Sequence, residues 1–246
     1  TNYSLIIADS DGENEQIVVN SKDPIMSPAW SPDSRQIAYV SFEDNASSIY
    51  LQTLRTGNRR KISDRPGING SPAFSPDGRK LVLTLGGSDG NLDIYVLDIA
   101  TRALKRMTYN RAIDTEATWS PSGKEIYFTS DRGGAPQIYK ISIDSDKAQR
   151  VTFDGNYNAR PRLSPDGKKL AMVHLYRGDY RIAIYDINKK DLLVLSSGMQ
   201  DESPSFAPNS DTLIYATKMR ENGVLETVTA DGAVKQRVAS KQGDIR

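Results

Sequence analysis

Few side chains in this 246-residue chain are suited to catalysis. There is no cysteine and a single histidine, His174, which removes disulfides, thiolate nucleophiles and cysteine metal ligands together. A serine nucleophile would have to use His174, yet that residue ends a β-rich run and no G-x-S-x-G elbow is present. It reads as a packed or partly exposed strand histidine. Ser31, Ser75, Ser120 and Ser164 occupy the same place in a recurring phrase, so they belong to a repeated turn rather than to chemistry. The glycine-rich run 86–90 lacks the G-K-[ST] and the following helix of a phosphate loop, and reads as a strand connector. Asp114, Glu116, Asp201 and Glu202 could form an acidic ring whose hard oxygen ligands suit Ca²⁺. The same carboxylates could receive a basic side chain from a partner, or simply cap backbone amides and face water. No D-x-D-x-D-G loop supports the calcium reading, and no other cofactor is expected.

Composition narrows the classes further. The chain is 37% apolar and 26% charged, with a formal net charge of +1, so no long-range field favours nucleic acid or anionic lipid. The short basic runs at Arg59-Arg60-Lys61 and Lys168-Lys169 sit in or beside turns without an aromatic platform, which argues against nucleic-acid binding. No run approaches the ~18 apolar residues of a membrane span, so direct membrane insertion is not expected.

What must position the candidate residues is a repeated unit. The phrase SPAWSPDSRQIAYVS at 27–41 returns at 71–85, 116–130, 160–174 and 203–217, and its second proline falls at Pro32, Pro76, Pro121, Pro165 and Pro208. A fixed period of about 44 residues with turn residues at fixed offsets marks a blade repeat. Each unit reads as four strands: a short inner strand ending in Pro-Asp-Ser or Pro-Asp-Gly, an almost continuously apolar second strand, a third carrying Ile-Tyr, and a fourth after a turn. The fold expected is all-β: a six-bladed β-propeller of four-stranded antiparallel blades occupying residues 1–246. The chain opens in mid-repeat and ends where another inner phrase would begin. A sixth blade split between the termini is therefore expected, in a chain cut from a longer one with a further domain upstream.

The phrases SPAWSPD, SPAFSPDG and EATWSPSG, with TSDRGGAPQIYKI at 129–141, VLSSGMQDESPSFAPN at 194–209 and TADGAVKQRVASKQGDIR at 229–246, resemble the propeller of the TolB family over essentially the whole chain. Phe74, Leu163 and Phe206 stand where the phrase otherwise has Trp, and Asn209-Ser210 replaces Asp-Gly. The resemblance implies a non-catalytic, periplasmic component of the Tol-Pal system of Gram-negative bacteria. It implies binding of the lipoprotein Pal at one channel mouth, engagement of TolA through an N-terminal region absent from this sequence, and use by bacteriocin translocation segments. It also implies a part in outer-membrane integrity and cell division.

In a propeller, the connectors from one blade's outer strand to the next blade's inner strand converge at one mouth, held by rigid strands. Here they are 24–27, 66–71, 113–116, 157–160 and 200–203. The family resemblance points to Ile68, Asn69, Ser71, Thr115 and Glu116 as partner contacts, with Met26, Asp114, Arg160, Asp201 and Glu202 completing the rim. Two other readings compete. One is a substrate-gating propeller separated from a serine-peptidase domain; the other is a glycan-active propeller enzyme, for which one histidine is a poor endowment.

Overall fold

The structure, a computed structural model, describes residues 2–87, 90–219 and 222–238. Every regular element among them is a β-strand. Strands β1 (Tyr3–Ile7) and β2 (Gln16–Ser21) form an antiparallel pair, and five antiparallel four-stranded sheets follow in chain order. The first contains β3 (Ile25–Trp30), β4 (Gln36–Ser41), β5 (Ser48–Thr53) and β6 (Arg59–Ser63). The second contains β7 (Asn69–Phe74), β8 (Lys80–Gly86), β9 (Leu92–Asp98) and β10 (Leu104–Arg106). The third contains β11 (Asp114–Trp119), β12 (Glu125–Ser130), β13 (Gln137–Ser142) and β14 (Gln149–Arg150). The fourth contains β15 (Asn158–Leu163), β16 (Lys169–Tyr176), β17 (Asp179–Asp186) and β18 (Asp191–Val194). The fifth contains β19 (Glu202–Phe206), β20 (Thr212–Met219), β21 (Asn222–Thr229) and β22 (Lys235–Arg237). Five complete blades and one strand pair are thus seen where six blades were expected. The run 239–246, where the chain was expected to approach a further inner phrase, lies outside the described residues, as do Ser88 and Asp89 of the glycine-rich connector.

The apolar second strands are buried on both faces because each blade is sandwiched. Leu81, Leu83 and Leu85 of β8 pack on Ala38, Val40 and Leu51 of the first blade. Val82, between them, packs instead with Trp119, Ile126 and Phe128 of the third, as the two-residue period of a strand requires. The seams between the third and fourth blades (Tyr127 and Ile138 on Leu170 and Met172) and between the fourth and fifth (Ala171 and Ile184 on Leu213 and Tyr215) repeat the scheme. There is no single central core; the apolar interior is a series of such seams.

The repeated serines have a local task. Ser75 Oγ accepts from the Lys80 amide (2.9 Å) and donates to Asp77 Oδ1 (2.6 Å), whose carboxylate also accepts from the Arg79 amide. Ser31 and Ser164 make the same bonds with Asp33 and Asp166, and Ser120 with Ser122 as its partner. The Ser75 bond, the Arg79 amide and the nearby cations together hold the Asp77 carboxyl below the usual range, burial opposing them. These hydroxyls are consumed by the turn, in agreement with the structural reading of the repeat.

One boundary differs from expectation. The inner strands begin earlier than the phrase suggested, at Ile25 rather than Pro28 in the first blade, so much of each supposed connector is strand. The residues that led to the later boundary are prolines, which cannot donate to a ladder. They are tolerated because each inner strand carries a β-bulge at that point.

Candidate functional site

The bulge recurs in all five inner strands. Ser27 and Pro28 together oppose Tyr39, because pairing shifts between Met26↔Val40 and Ala29↔Ala38. Equivalent shifts follow Gly70, Thr115, Ala159 and Glu202. At every one the first bulge residue has a left-handed backbone: Ser27 (φ 51°), Ser71 (φ 47°), Glu116 (φ 56°), Arg160 (φ 56°) and Ser203 (φ 56°). Such a conformation costs a non-glycine residue about 1–3 kcal/mol and persists where its surroundings over-determine it. Side chains from the preceding blade help to do so. Thr84 Oγ1 accepts from the Glu116 amide (3.2 Å) and Thr129 Oγ1 from the Arg160 amide (3.0 Å).

Two bulge residues, Glu116 and Arg160, and Glu202, which immediately precedes the fifth bulge, meet across successive blades. Arg160 Nε donates to Glu116 Oε1 (2.8 Å), while its Nη1 donates to Glu202 Oε2 (2.7 Å) and Ser203 Oγ (3.1 Å). Burial works against the Arg160 charge, but Glu116 and Glu202 outweigh it and hold the guanidinium above its ordinary pKa. Thr129 Oγ1 also donates to Glu116 Oε2 (3.3 Å). Thr115, beside Glu116 in the strand, is half-buried and accepts from the Thr84 hydroxyl (3.4 Å).

Other expected contact residues prove to be internal. Asn69, Asp114 and Asp201 are 1%, 0% and 0% exposed, so they position the mouth rather than present themselves to a partner. Asn69 Oδ1 accepts from Ser63 Oγ and the Arg65 amide, while its Nδ2 donates to the Ser47 and Arg65 carbonyls. Arg132 Nη2 donates to both carboxylate oxygens of Asp114 (2.9 Å to Oδ1, 2.7 Å to Oδ2), and that guanidinium lies 5.0 Å from the Tyr139 ring centre. Asp201 accepts from the Gly198 amide (3.0 Å) and from Thr217 Oγ1. The expected acidic ring is therefore not one ring: two carboxylates are sequestered below the surface and two share Arg160. Among the described residues no group of three or more His, Asp or Glu side chains is arranged to hold a metal.

His174 is 5% exposed. Its Nδ1 is 2.8 Å from Asn158 Oδ1, and Asn158 in turn donates to Gln137 Oε1 and the Asp154 carbonyl. With the asparagine in that orientation the imidazole donates from Nδ1, with no serine in the network. This is the packed strand histidine expected, and it braces the connector between the third and fourth blades.

The segments that lead from each outer strand to the next inner strand expose apolar side chains, largely ones that sequence reasoning missed. Ile68 and Met26 were expected at the mouth and are exposed; Tyr109, Ile113, Phe153 and Met199 lie in the equivalent segments and are exposed too, the last two at 67% and 78%. Two of the aromatic rings are held in place. Arg106 stacks 4.9 Å from the Tyr109 ring centre and Arg150 4.9 Å from that of Phe153; each arginine is also tied by its Nε to a backbone carbonyl of the connector. The signal was present in the sequence as Arg-x-x-aromatic at the end of the outer strand, twice.

The site thus combines a charged centre on the bulged inner strands with exposed apolar side chains in the connectors, two of them aromatic rings packed on arginines. Comparison with known proteins gives the family. Residues 1–246 match the TolB beta propeller domain. The chain belongs to the TolB β-propeller family. The Tol-Pal system protein TolB of Xanthomonas campestris pv. campestris (strain B100) is 50% identical over 246 residues, covering 99% of this chain and 56% of the relative. The crystal structure of TolB from Acinetobacter baumannii superimposes with a TM-score of 0.94 at 48% identity, covering 99% of this chain and 61% of that one. This TolB-type chain thus spans little more than half the length of these relatives. A Mycobacterium tuberculosis puromycin-hydrolysing peptidase matches at TM-score 0.68 and 15% identity, over 98% of this chain and 45% of the other. That likeness concerns the fold alone.

Proposed function

We propose that the chain is a non-catalytic, periplasmic protein-binding propeller of the Tol-Pal system that docks the lipoprotein Pal at the mouth described above. In this reading it supports outer-membrane integrity and cell division. The observation that carries it is the pairing of a pre-formed Glu116–Arg160–Glu202 centre with a rim of exposed apolar side chains, in a chain half identical to TolB. Met26, Ile68, Ser71, Thr115, Glu116, Arg160 and Glu202 make direct contacts in this scheme, whereas Asn69, Asp114 and Asp201 hold the surface in shape. TolA engagement belongs to an upstream region, and bacteriocin translocation segments compete for the same mouth. Calorimetry against soluble Pal tests the reading. Phe153→Asp and Ile68→Asp should each weaken binding at least ~10-fold, because a charge in a desolvated docking surface costs more than 1.4 kcal/mol. No measurable heat with the parent chain removes the proposal.

We also infer that β1 and β2 are the third and fourth strands of a sixth blade. In a complete seam Trp119 is 7% exposed and its Nε1 donates to the Ala73 carbonyl of the preceding inner strand (3.2 Å). Trp30, at the same place in the first blade, is 49% exposed, which is what a seam awaiting an inner strand would show.

A further inference from the structure

One cation on the inner strands, Arg162, makes no ion pair among the described residues. Arg162 lies two residues beyond the Arg160 bulge on β15, and among the described residues one of the five N–H groups of its guanidinium is bonded, by Nη1 to the Pro161 carbonyl (2.8 Å). Among the described residues no carboxylate forms an ion pair with it; Glu116 and Glu202 are both taken by Arg160. The residue is largely buried but keeps some access to solvent. That burial pulls its pKa below the ordinary arginine value, with Glu116 opposing the shift and Arg160 adding to it. The guanidinium therefore lies within electrostatic reach of the charged centre, on an inner strand.

The level at which Arg162 sits is otherwise built of small residues. The corresponding positions, two beyond each bulge, are Ala29, Ala73, Thr118 and Ser205. Thr118 and Ser205 belong to the inner strands on either side of β15, and the two alanines leave the other inner strands without bulk. An arginine held in partly desolvated surroundings without a counter-charge is unfavourable unless an anion completes it, and its planar fork matches a carboxylate bidentately.

We propose that the inner strands carry an oxyanion site centred on Arg162, at the strand level that Thr118 and Ser205 occupy in the neighbouring blades, that takes a carboxylate. The carboxylate can come from a free small acid or from an acidic side chain that enters by the mouth. The site stands independently of the docking reading, because its ligand need not be a protein.

The test is calorimetry on the whole chain at constant chloride. The ligands are acetate and, separately, a short end-blocked peptide with one Glu among Gly and Ser, against its Gln counterpart. Saturable binding that falls at least ~10-fold in Arg162→Gln, as loss of a charge-assisted bidentate contact requires, supports the site. Binding of acetate as tight as that of the Glu peptide assigns a free acid; preference for the Glu peptide over both acetate and the Gln peptide assigns a chain-borne carboxylate. No saturable binding of either, or equal binding by Arg162→Gln, overturns the proposal. A ligand-free measurement guards against misfolding of the variant. Arg162→Met should melt at or above the parent temperature, since it removes an uncompensated cation. A melting temperature several degrees lower in both Arg162→Met and Arg162→Lys would show a purely structural role and also overturn it.

Discussion

Protonating His174 would place a charge between Asn158 and the backbone of Gly155, where a Cβ would already lie 2.6 Å from the ring Cε1. Burial lowers its pKa from 6.5, the Asp154 carboxylate opposing, with the Tyr176 ring 6.4 Å away. Since the unfolded chain takes up the proton first, the contribution is complete above pH 6.5 and declines as the pH falls from there towards the depressed folded value. Urea unfolding at pH 5 and 7.5 should show the parent losing stability on acidification, and His174→Gln losing less. A second residue-scale expectation concerns the Asp114–Arg132 pair. Asp114→Ala leaves a largely buried guanidinium without its partner and should destabilise the fold by about 3 kcal/mol in denaturant melts. Residue types alone identified His174 as packed and the repeated serines as turn residues, because lone and repeated groups make poor catalytic sets. They did not separate Asn69, Asp114 and Asp201 from their surface neighbours. A short polar side chain next to a strand start has the same pattern whether it faces water or folds back to satisfy a connector.

At the scale of elements the bulged inner strand is the unit that brings Glu116 and Arg160 together. Thr129 receives the Arg160 amide, so Thr129→Val should cost about 1 kcal/mol in thermal melts and weaken partner binding through Arg160 rather than through lost contact area. The VLSSGMQDES connector shows a second constraint. A Cβ at Gly198 would overlap Asp201 Oδ1 and Thr217 Oγ1, so Gly198→Ala should lower the melting temperature by several degrees, at a cost of about 1–3 kcal/mol. The strands themselves were readable from the period, the apolar runs and the turn phrases. The bulges were not, because proline in a run normally signals its end. Only the pairing shows that Pro28, Pro72, Pro161 and Pro204 sit where the ladder asks for no donor.

For the molecule as a whole, stability is distributed over seams between blades, so an incomplete seam is the vulnerable place. Trp30 and Trp119 are the two tryptophans of the chain, which makes the state of one seam measurable. Acrylamide quenching should resolve an accessible and a protected population, and Trp30→Phe should remove the accessible one. On the proposed sixth-blade reading, a longer chain that pairs an inner strand with β1 and β2 should protect Trp30. A single protected population in this chain would show that the seam is already closed.

The repeat, the all-β class, the blade unit and the family resemblance were all determined by the linear sequence, because each follows from local periods and turn chemistry that a strand carries wherever it packs. Tertiary structure decided which carboxylates are available, that Arg160 bridges two of them, that Arg162 pairs with none among the described residues, and which connector side chains stay exposed. Those properties depend on which residues of separate blades meet, and side chains about 44 positions apart acquire a common environment only when the inner strands stand side by side.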